Sequence, residues 1–222
     1  MTISIEKRMR SKPTNHRIQT RLEQDRVDEL LDVAAEIFVE KGFAAASTNE
    51  IAKRSNSSKT TFYSRFPTKE KLFIAVLERR MNRIFSEIST ALPLDGPVQT
   101  VLREYGAKLL QFAISEDQLA LFRVVSMEST RFPALAERFF ELGPKRGQAY
   151  LSGYLQEQIK RGCLVNEDAA TMAEHLMSLL TGGRVRWAAL GLRSHLGPKD
   201  RQKHVDAAVR VFLRAYSTSV PK

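Results

Sequence analysis

The chain has 222 residues and a mass of 25.2 kDa, enough for one or two compact domains with a real core. Its 43% apolar and 27% charged residues exclude a disordered chain, and its single cysteine excludes both a disulfide framework and a multi-cysteine zinc site. Lys and Arg (35) outnumber Asp and Glu (25), and the resulting +10 points to a polyanionic partner, nucleic acid or a lipid surface.

Residues 1–24 mix polar and basic side chains with Pro13 and no periodicity, and read as a flexible basic arm. They lack the apolar core of a secretory signal. The longest apolar run, Leu72 to Leu77, is too short to cross a bilayer, so a cytoplasmic protein without membrane contact is expected. From Asp25 the pattern turns helical. Val27, Leu30, Leu31, Ala34, Ile37 and Phe38 recur at three- and four-residue spacing, with Asp28, Glu29, Asp32, Glu36 and Glu40 on the opposite side. Lys41-Gly42-Phe43 is a stop signal, with Gly42 for the left-handed cap.

Ser47-Thr48-Asn49-Glu50 reads as a capping box, with Ser47 as N-cap and Glu50 reaching back. The helix it opens is short, because Ser55-Asn56-Ser57 breaks it and Asn56 suits a left-handed turn. A third short helix is predicted from about Ser58 to Phe66, with Phe62 and Phe66 on its inner face and Pro67 as its end. Thr68 then caps a fourth helix, whose apolar stripe runs from Leu72 to Ile88 and, if helical to Leu92, gives an element of roughly 36 Å. Pro93, Gly96 and Pro97 break the chain. Further helical segments are predicted at about 98–114, 117–130, 133–142, 145–161, 168–190 and 199–216, with Pro133, Gly143-Pro144, Gly162 and Gly197-Pro198 as punctuation. No alternating strand pattern interrupts them, and the fold class is all-α.

Charge is unevenly spread. Residues 1–26 carry +4, 27–45 carry −4, 46–71 carry +4, 72–143 carry −1 and 144–222 carry +7. A short acidic helix thus lies between two basic stretches, the second of which coincides with the two short helices.

Two short helices joined by a tight turn and braced by a longer one make a helix-turn-helix. Such a unit needs an exposed helix that fits a major groove about 12 Å wide, with small or hydrogen-bonding side chains toward the bases and hydroxyl or basic groups toward phosphates. Ser57 to Phe66 supplies these. Gly42-Phe43, Ser47, Ile51-Ala52, Ser58-Lys59, Phe62-Tyr63, Phe66 and Lys69-Glu70-x-Leu72-Phe73, at intact spacing across residues 26–73, resemble the DNA-binding domain of the TetR family of bacterial transcriptional regulators. The family usually has Ala-Gly-Val where this chain has Ser55-Asn56-Ser57; its frequent Gly falls at Thr60 and its frequent His at Arg65.

The resemblance implies a helix-turn-helix domain at 25–72 and an all-helical regulatory and dimerisation domain at 73–222. It implies phosphate contacts from Thr48, Ser57, Ser58, Tyr63 and Arg65, and a backbone anchor at Lys69. It gives base contacts to Lys59, Thr60 and Ser64; Lys suits guanine acceptors, and a Thr methyl suits the thymine methyl.

Phe122-Arg123-Val124-Val125, Glu128 to Ala136 and Gly143-Pro144 resemble the C-terminal domain of AcrR- or AefR-like members. That implies a homodimer through the last two helices and a small-molecule effector. Dimer candidates are Ala169, Met172, Ala173, Leu176, Leu179 and Leu180 on one helix, and Val205, Ala208, Val209, Phe212 and Leu213 on the other, with the chain's own core as the competing reading and as the place of part of each face. Phe112, Phe122, Met127, Met177 and Trp187 are candidate linings of an apolar effector pocket, with plain core as the competing reading.

His16, His175, His195 and His204 lack metal-ligand spacing, and Cys163, beside Lys160 and Arg161, reads as an inert thiol or else a redox sensor. No catalytic motif stands out, so no metal, cofactor or enzymatic turnover is expected. The expected function is a ligand-responsive repressor that binds palindromic double-stranded operator DNA. The alternative is a small-molecule-binding all-α protein whose DNA contact is vestigial or non-specific.

Overall fold

The computed structural model describes residues 15–89, 92–93, 95–192 and 197–218. Their elements are α1 (Asn15–Ala45), α2 (Thr48–Arg54), α3 (Lys59–Arg65), α4 (Lys69–Ile88), α5 (Val98–Ala113), α6 (Glu116–Glu128), α7 (Pro133–Phe140), α8 (Arg146–Lys160), α9 (Ala169–Ala189) and α10 (Pro198–Tyr216). The described residues form no strand beyond one isolated bridge, Leu164 to Ser217. The all-α expectation holds.

Where local chemistry is explicit, the boundaries fall as predicted. Thr68 accepts from the Lys71 amide and Asp168 from the Thr171 amide, each closing an N-terminus. Gly42 turns to φ 76°, ending the regular part of α1.

Four expectations are corrected. First, α1 begins at Asn15, so residues 15–24 of the predicted arm are helical; residues 1–14 lie outside the described part. No apolar stripe builds this extension. It is made of good helix formers such as Arg21, Leu22, Glu23 and Gln24, with a Gln24 to Asp28 bond one turn on.

Second, the capping box does not form. The Ser47 side chain makes no cap bond, and Glu50 accepts from Lys41 Nζ at 2.6 and 2.7 Å. A charge-assisted bond to an ammonium outcompetes a neutral backbone N–H. Third, α4 ends at Ile88, four residues short of Leu92, and spans roughly 30 Å. Fourth, Gly143-Pro144 is no break. Residues Glu141–Lys145 form one π-helical turn that joins α7 to α8, the wider turn accommodating the proline ring and its missing N–H.

Two hydrophobic cores organise the chain. One joins α1, α2 and α3 to the N-terminal half of α4, together with Leu121, Val124 and Val125 of α6 and Leu135 and Phe139 of α7. Phe38, Phe43 and Phe73 meet at its centre, with ring centroids 4.9 to 5.7 Å apart. The other core is built from α5, α8, α9 and α10 around Leu102, Leu110, Leu155, Leu176 and Phe212. The helix-turn-helix is therefore rooted in the rest of the chain through α4, α6 and α7.

Candidate nucleic-acid interface and effector cavity

The turn between α2 and α3 is set by Asn56, which sits at φ 49°. The Ser57 amide bonds the Ala52 carbonyl at 2.9 Å and the Asn56 amide the Lys53 carbonyl at 3.3 Å. Ser55 is buried, and its hydroxyl donates to Ser57 Oγ at 3.1 Å. A hydroxyl pair thus occupies the position where the family has an apolar plug. Ser57 is half-buried and engaged in this turn, which makes it a turn residue before it is a phosphate ligand.

Phe62 is fully buried and Phe66 nearly so, fixing the inner face of α3. Burying each ring contributes on the order of 2 kcal/mol. Ser58, Lys59, Thr60, Tyr63, Ser64 and Arg65 are all exposed. Thr48 and Tyr63, 15 residues apart, are brought together: Thr48 Oγ1 and Tyr63 Oη lie 3.0 Å apart. The hydroxyl pair bridges the start of α2 to the outer face of α3.

Lys69 is placed differently from its predicted role. Its ammonium donates to the carbonyls of Ala44 at 2.8 Å and Ala46 at 3.2 Å, and sits 4.9 Å from the Phe43 ring centroid. The break at Gly42 leaves these carbonyls without helical partners, and Lys69 satisfies them. Its donors serve the α1–α2 connection.

The acidic face of α1 neutralises the scaffold's arginines. Glu36 and Glu40 pair with Arg54 at 2.8 and 3.4 Å, while Asp28 and Asp32 pair with Arg79 of α4. Exposed pairs of this kind contribute little each, but they orient α2 and α4 on α1. Lys53, Lys59, Arg65 and Lys71 are exposed and make no ion pair among the described residues, while the Lys69 ammonium, half-buried, meets neutral carbonyls, so the solvent-facing positive charge of residues 46–71 lies mainly on the first four.

A cavity of about 560 Å³ lies where the two cores meet, within the size range of small-molecule sites. Met81, Ile84 and Phe85 of α4, Tyr105 and Leu109 of α5 and Val185 of α9 contribute to its wall. Of the five predicted lining residues, Phe112, Phe122 and Met177 are there. Met127 and Trp187 are not: Met127 is 82% exposed on the outer side of α6, and Trp187 is 41% exposed, with Arg184 stacked 5.5 Å from its ring.

Sequence reasoning missed Tyr105 and Gln118, polar residues buried on this wall. Tyr105 Oη and Gln118 Oε1 have no hydrogen-bond partner among the described residues. Burial pushes the Tyr105 phenol well above its ordinary range, so it stays neutral. Its signal in the sequence is a polar atom on the apolar stripe Val101, Leu102, Leu109.

For most of the dimer candidates the competing reading, the chain's own core, is the one the structure shows. Except for Leu179, every one of them is buried inside its own chain. The outer faces of α9 and α10 instead expose Leu179, Trp187 and Val211. No group of three or more potential metal ligands gathers among the described residues, and none of their helices is long and apolar enough to cross a membrane. His175 meets the Tyr216 hydroxyl and His204 the Leu180 carbonyl; His195 lies outside the described residues. Cys163 is exposed.

A rooted helix-turn-helix with an exposed polar recognition helix, joined to a helical domain that encloses an apolar cavity, defines a one-component DNA-binding regulator. Residues 30–76 match the family model for bacterial regulatory proteins of the tetR family, and residues 100–218 match the C-terminal domain model of AefR-like transcriptional repressors. The chain belongs to the TetR family of transcriptional regulators. The transcriptional activator FasR of Mycolicibacterium smegmatis is 38% identical over 91 residues, 40% of this chain and 42% of that protein, so the match spans less than half of the relative. A TetR-family regulator from Mesorhizobium loti superposes with a TM-score of 0.82 at 25% identity, covering 88% of this chain and 98% of that one. The flavonoid-responsive regulator FrrA superposes with a TM-score of 0.74 at 29% identity, with the same coverage of both chains.

Proposed function

We propose that this chain is a homodimeric, ligand-responsive repressor that binds palindromic operator DNA and is released by a small hydrophobic effector. The observation that carries the reading is the outer face of α3, where Lys59, Thr60, Tyr63, Ser64 and Arg65 stand exposed over a buried Phe62. Lys59, Thr60 and Ser64 meet base edges in the major groove. Thr48, Tyr63, Ser58 and Arg65 hold phosphates, with Ser57 a weaker partner because its hydroxyl is shared with Ser55. Lys69 acts by holding the α1–α2 connection in place.

One short recognition helix reads few base pairs, so two copies act together through the outer faces of α9 and α10, where Leu179, Trp187 and Val211 are exposed. DNA accepts the paired recognition helices about 34–36 Å apart or at a multiple of that spacing. An effector in the cavity presses on α4, whose Met81, Ile84 and Phe85 line it, and changes that spacing. The responsiveness of FrrA to flavonoids supports a small-molecule effector here. The protein acts by binding, without turnover or cofactor, in the cytoplasm.

The test is a titration of the purified chain against DNA from upstream of its own gene at fixed salt. Wild type should prefer one palindromic segment, and Lys59→Ala should lower affinity for it about tenfold. Equal affinity for every sequence would establish the alternative, a small-molecule-binding protein with non-specific DNA contact. Transcript from the controlled promoter should rise when the gene is deleted; a fall would make the chain an activator, as FasR is named.

A further inference from the structure

The cavity wall is apolar almost throughout, and the polar groups on it divide into two kinds. Tyr150 and Thr181 are already engaged, donating to the carbonyls of Ser89 and Met177. Tyr105, fully buried, and Gln118, 7% exposed, are not: Tyr105 Oη and Gln118 Oε1 lack partners among the described residues. One is a neutral phenol and the other an amide carbonyl, so the wall offers a donor and an acceptor but no buried charge. The one charged side chain among the described lining residues is Arg186, which is exposed.

This pairing discriminates between classes of occupant. A purely apolar molecule would gain from the apolar wall but leave both groups without a partner, a loss that a hydroxylated molecule of the same shape avoids. An anion would lose its hydration without meeting a buried cation. A neutral hydroxyl serves both groups, because its oxygen accepts from a phenol and its hydrogen donates to a carbonyl. We propose that the effector is a neutral, mainly apolar molecule bearing hydroxyl groups, with Tyr105 and Gln118 as the residues that select them. This rests on the cavity being the effector site, and it names the chemistry that fills it.

The test is calorimetric titration of the full chain, without DNA, with three probes of one shape: biphenyl, dihydroxybiphenyl and biphenyl carboxylate. Dihydroxybiphenyl should bind wild type at least about tenfold more tightly than biphenyl, and the carboxylate most weakly. Tyr105→Phe and Gln118→Leu, both close to their parents in volume, should each cut that preference about tenfold while biphenyl still binds at least as tightly as it does to wild type. The retained biphenyl binding reports an intact cavity. Equal binding of biphenyl and dihydroxybiphenyl, tightest binding of the carboxylate, or variants that keep the preference would each overturn the proposal. So would wild type that binds none of the probes, whatever its operator affinity. If the preference holds while sequence-specific DNA binding fails, the cavity chemistry stands and the repressor reading falls.

Discussion

Glu128 Oε1, in the last turn of α6, accepts a hydrogen bond from the backbone N–H of Ala44 at 3.1 Å. The donor lies at the end of α1, just past the break at Gly42 and before the connection to α2. Beside it, Phe43 and Phe132 meet edge to face with centroids 4.9 Å apart. The other end of α6 carries Gln118 and Phe122 on the cavity wall. A single rigid helix, roughly 15 Å from Gln118 to Glu128, thus joins the cavity to the root of the helix-turn-helix.

Glu128→Ala removes this tie without touching either binding surface. Hydrogen exchange at the Ala44 amide should speed up, since the N–H loses its acceptor. The factor by which a bound effector weakens operator affinity should shrink about fivefold, or about 1 kcal/mol of coupling. Operator titrations with and without dihydroxybiphenyl measure it. An unchanged factor together with unchanged exchange at Ala44 would show that α4 alone carries the signal.

The sequence made the helices legible because their ends are written in local chemistry. Thr68, Asp168, Pro133 and Pro198 each open a helix where a cap or a first-turn proline is needed. Gly143-Pro144 misled because the residues that break an α-helix also build a π-turn, and only the packing of this turn against α4, and of α7 against α4 and α6, distinguishes the two. Phe62 and Phe66 revealed the inner face of α3, and with it the outer one. The cavity was only half legible. Met127 and Met177 are the same residue type at helical spacing, yet one faces solvent and the other the cavity, because which side of α6 or α9 meets a neighbour is a tertiary fact. Lys69 misled for a similar reason: the carbonyls it serves become available only once Gly42 has turned the chain.

Gly106 marks a close approach within the second core. A Cβ there would lie 2.8 Å from Leu180 Cδ2 and 3.0 Å from Val205 Cγ1, side chains of α9 and α10. Gly106→Ala should therefore destabilise the chain by about 1–2 kcal/mol despite the better helix propensity of alanine, because both contacts must give way. Urea unfolding measures this; a variant as stable as wild type would mean that Leu180 and Val205 repack at no cost.

Asp168 gives the stability a dependence on pH. Its carboxylate accepts from Thr171 Oγ1 at 2.6 Å and from the Thr171 amide at 2.8 Å, and these bonds hold its pKa below the ordinary carboxylate value. A depressed folded-state pKa stabilises the fold above the unfolded-state value, about 3.9, and the contribution is lost as pH falls through the lower folded-state value. Asp168→Ala should lower the melting temperature at pH 7, and the gap from wild type should narrow as the solution is acidified below about pH 4. A gap of the same size at neutral and acidic pH would mean that the cap acts through its shape alone.

Tyr63 and Lys71 should fail in different ways on DNA. The Tyr63 hydroxyl, held 3.0 Å from Thr48 Oγ1, is a neutral group at the edge of the recognition face. Tyr63→Phe should weaken every DNA sequence by a similar few-fold factor and leave the salt dependence unchanged, since no counterion is released on its account. Lys71 is an exposed cation without an ion pair among the described residues, at the start of α4. If it lies against a phosphate, Lys71→Ala should reduce the slope of log affinity against log salt by about 0.9 while the preferred sequence stays the same. Lys59→Ala should instead relax the preference at one base pair. Binding isotherms at four salt concentrations, on the preferred palindrome and on versions with one changed pair, separate the three. If Lys71→Ala leaves the slope unchanged, the start of α4 lies away from the duplex, and the recognition face ends at α3.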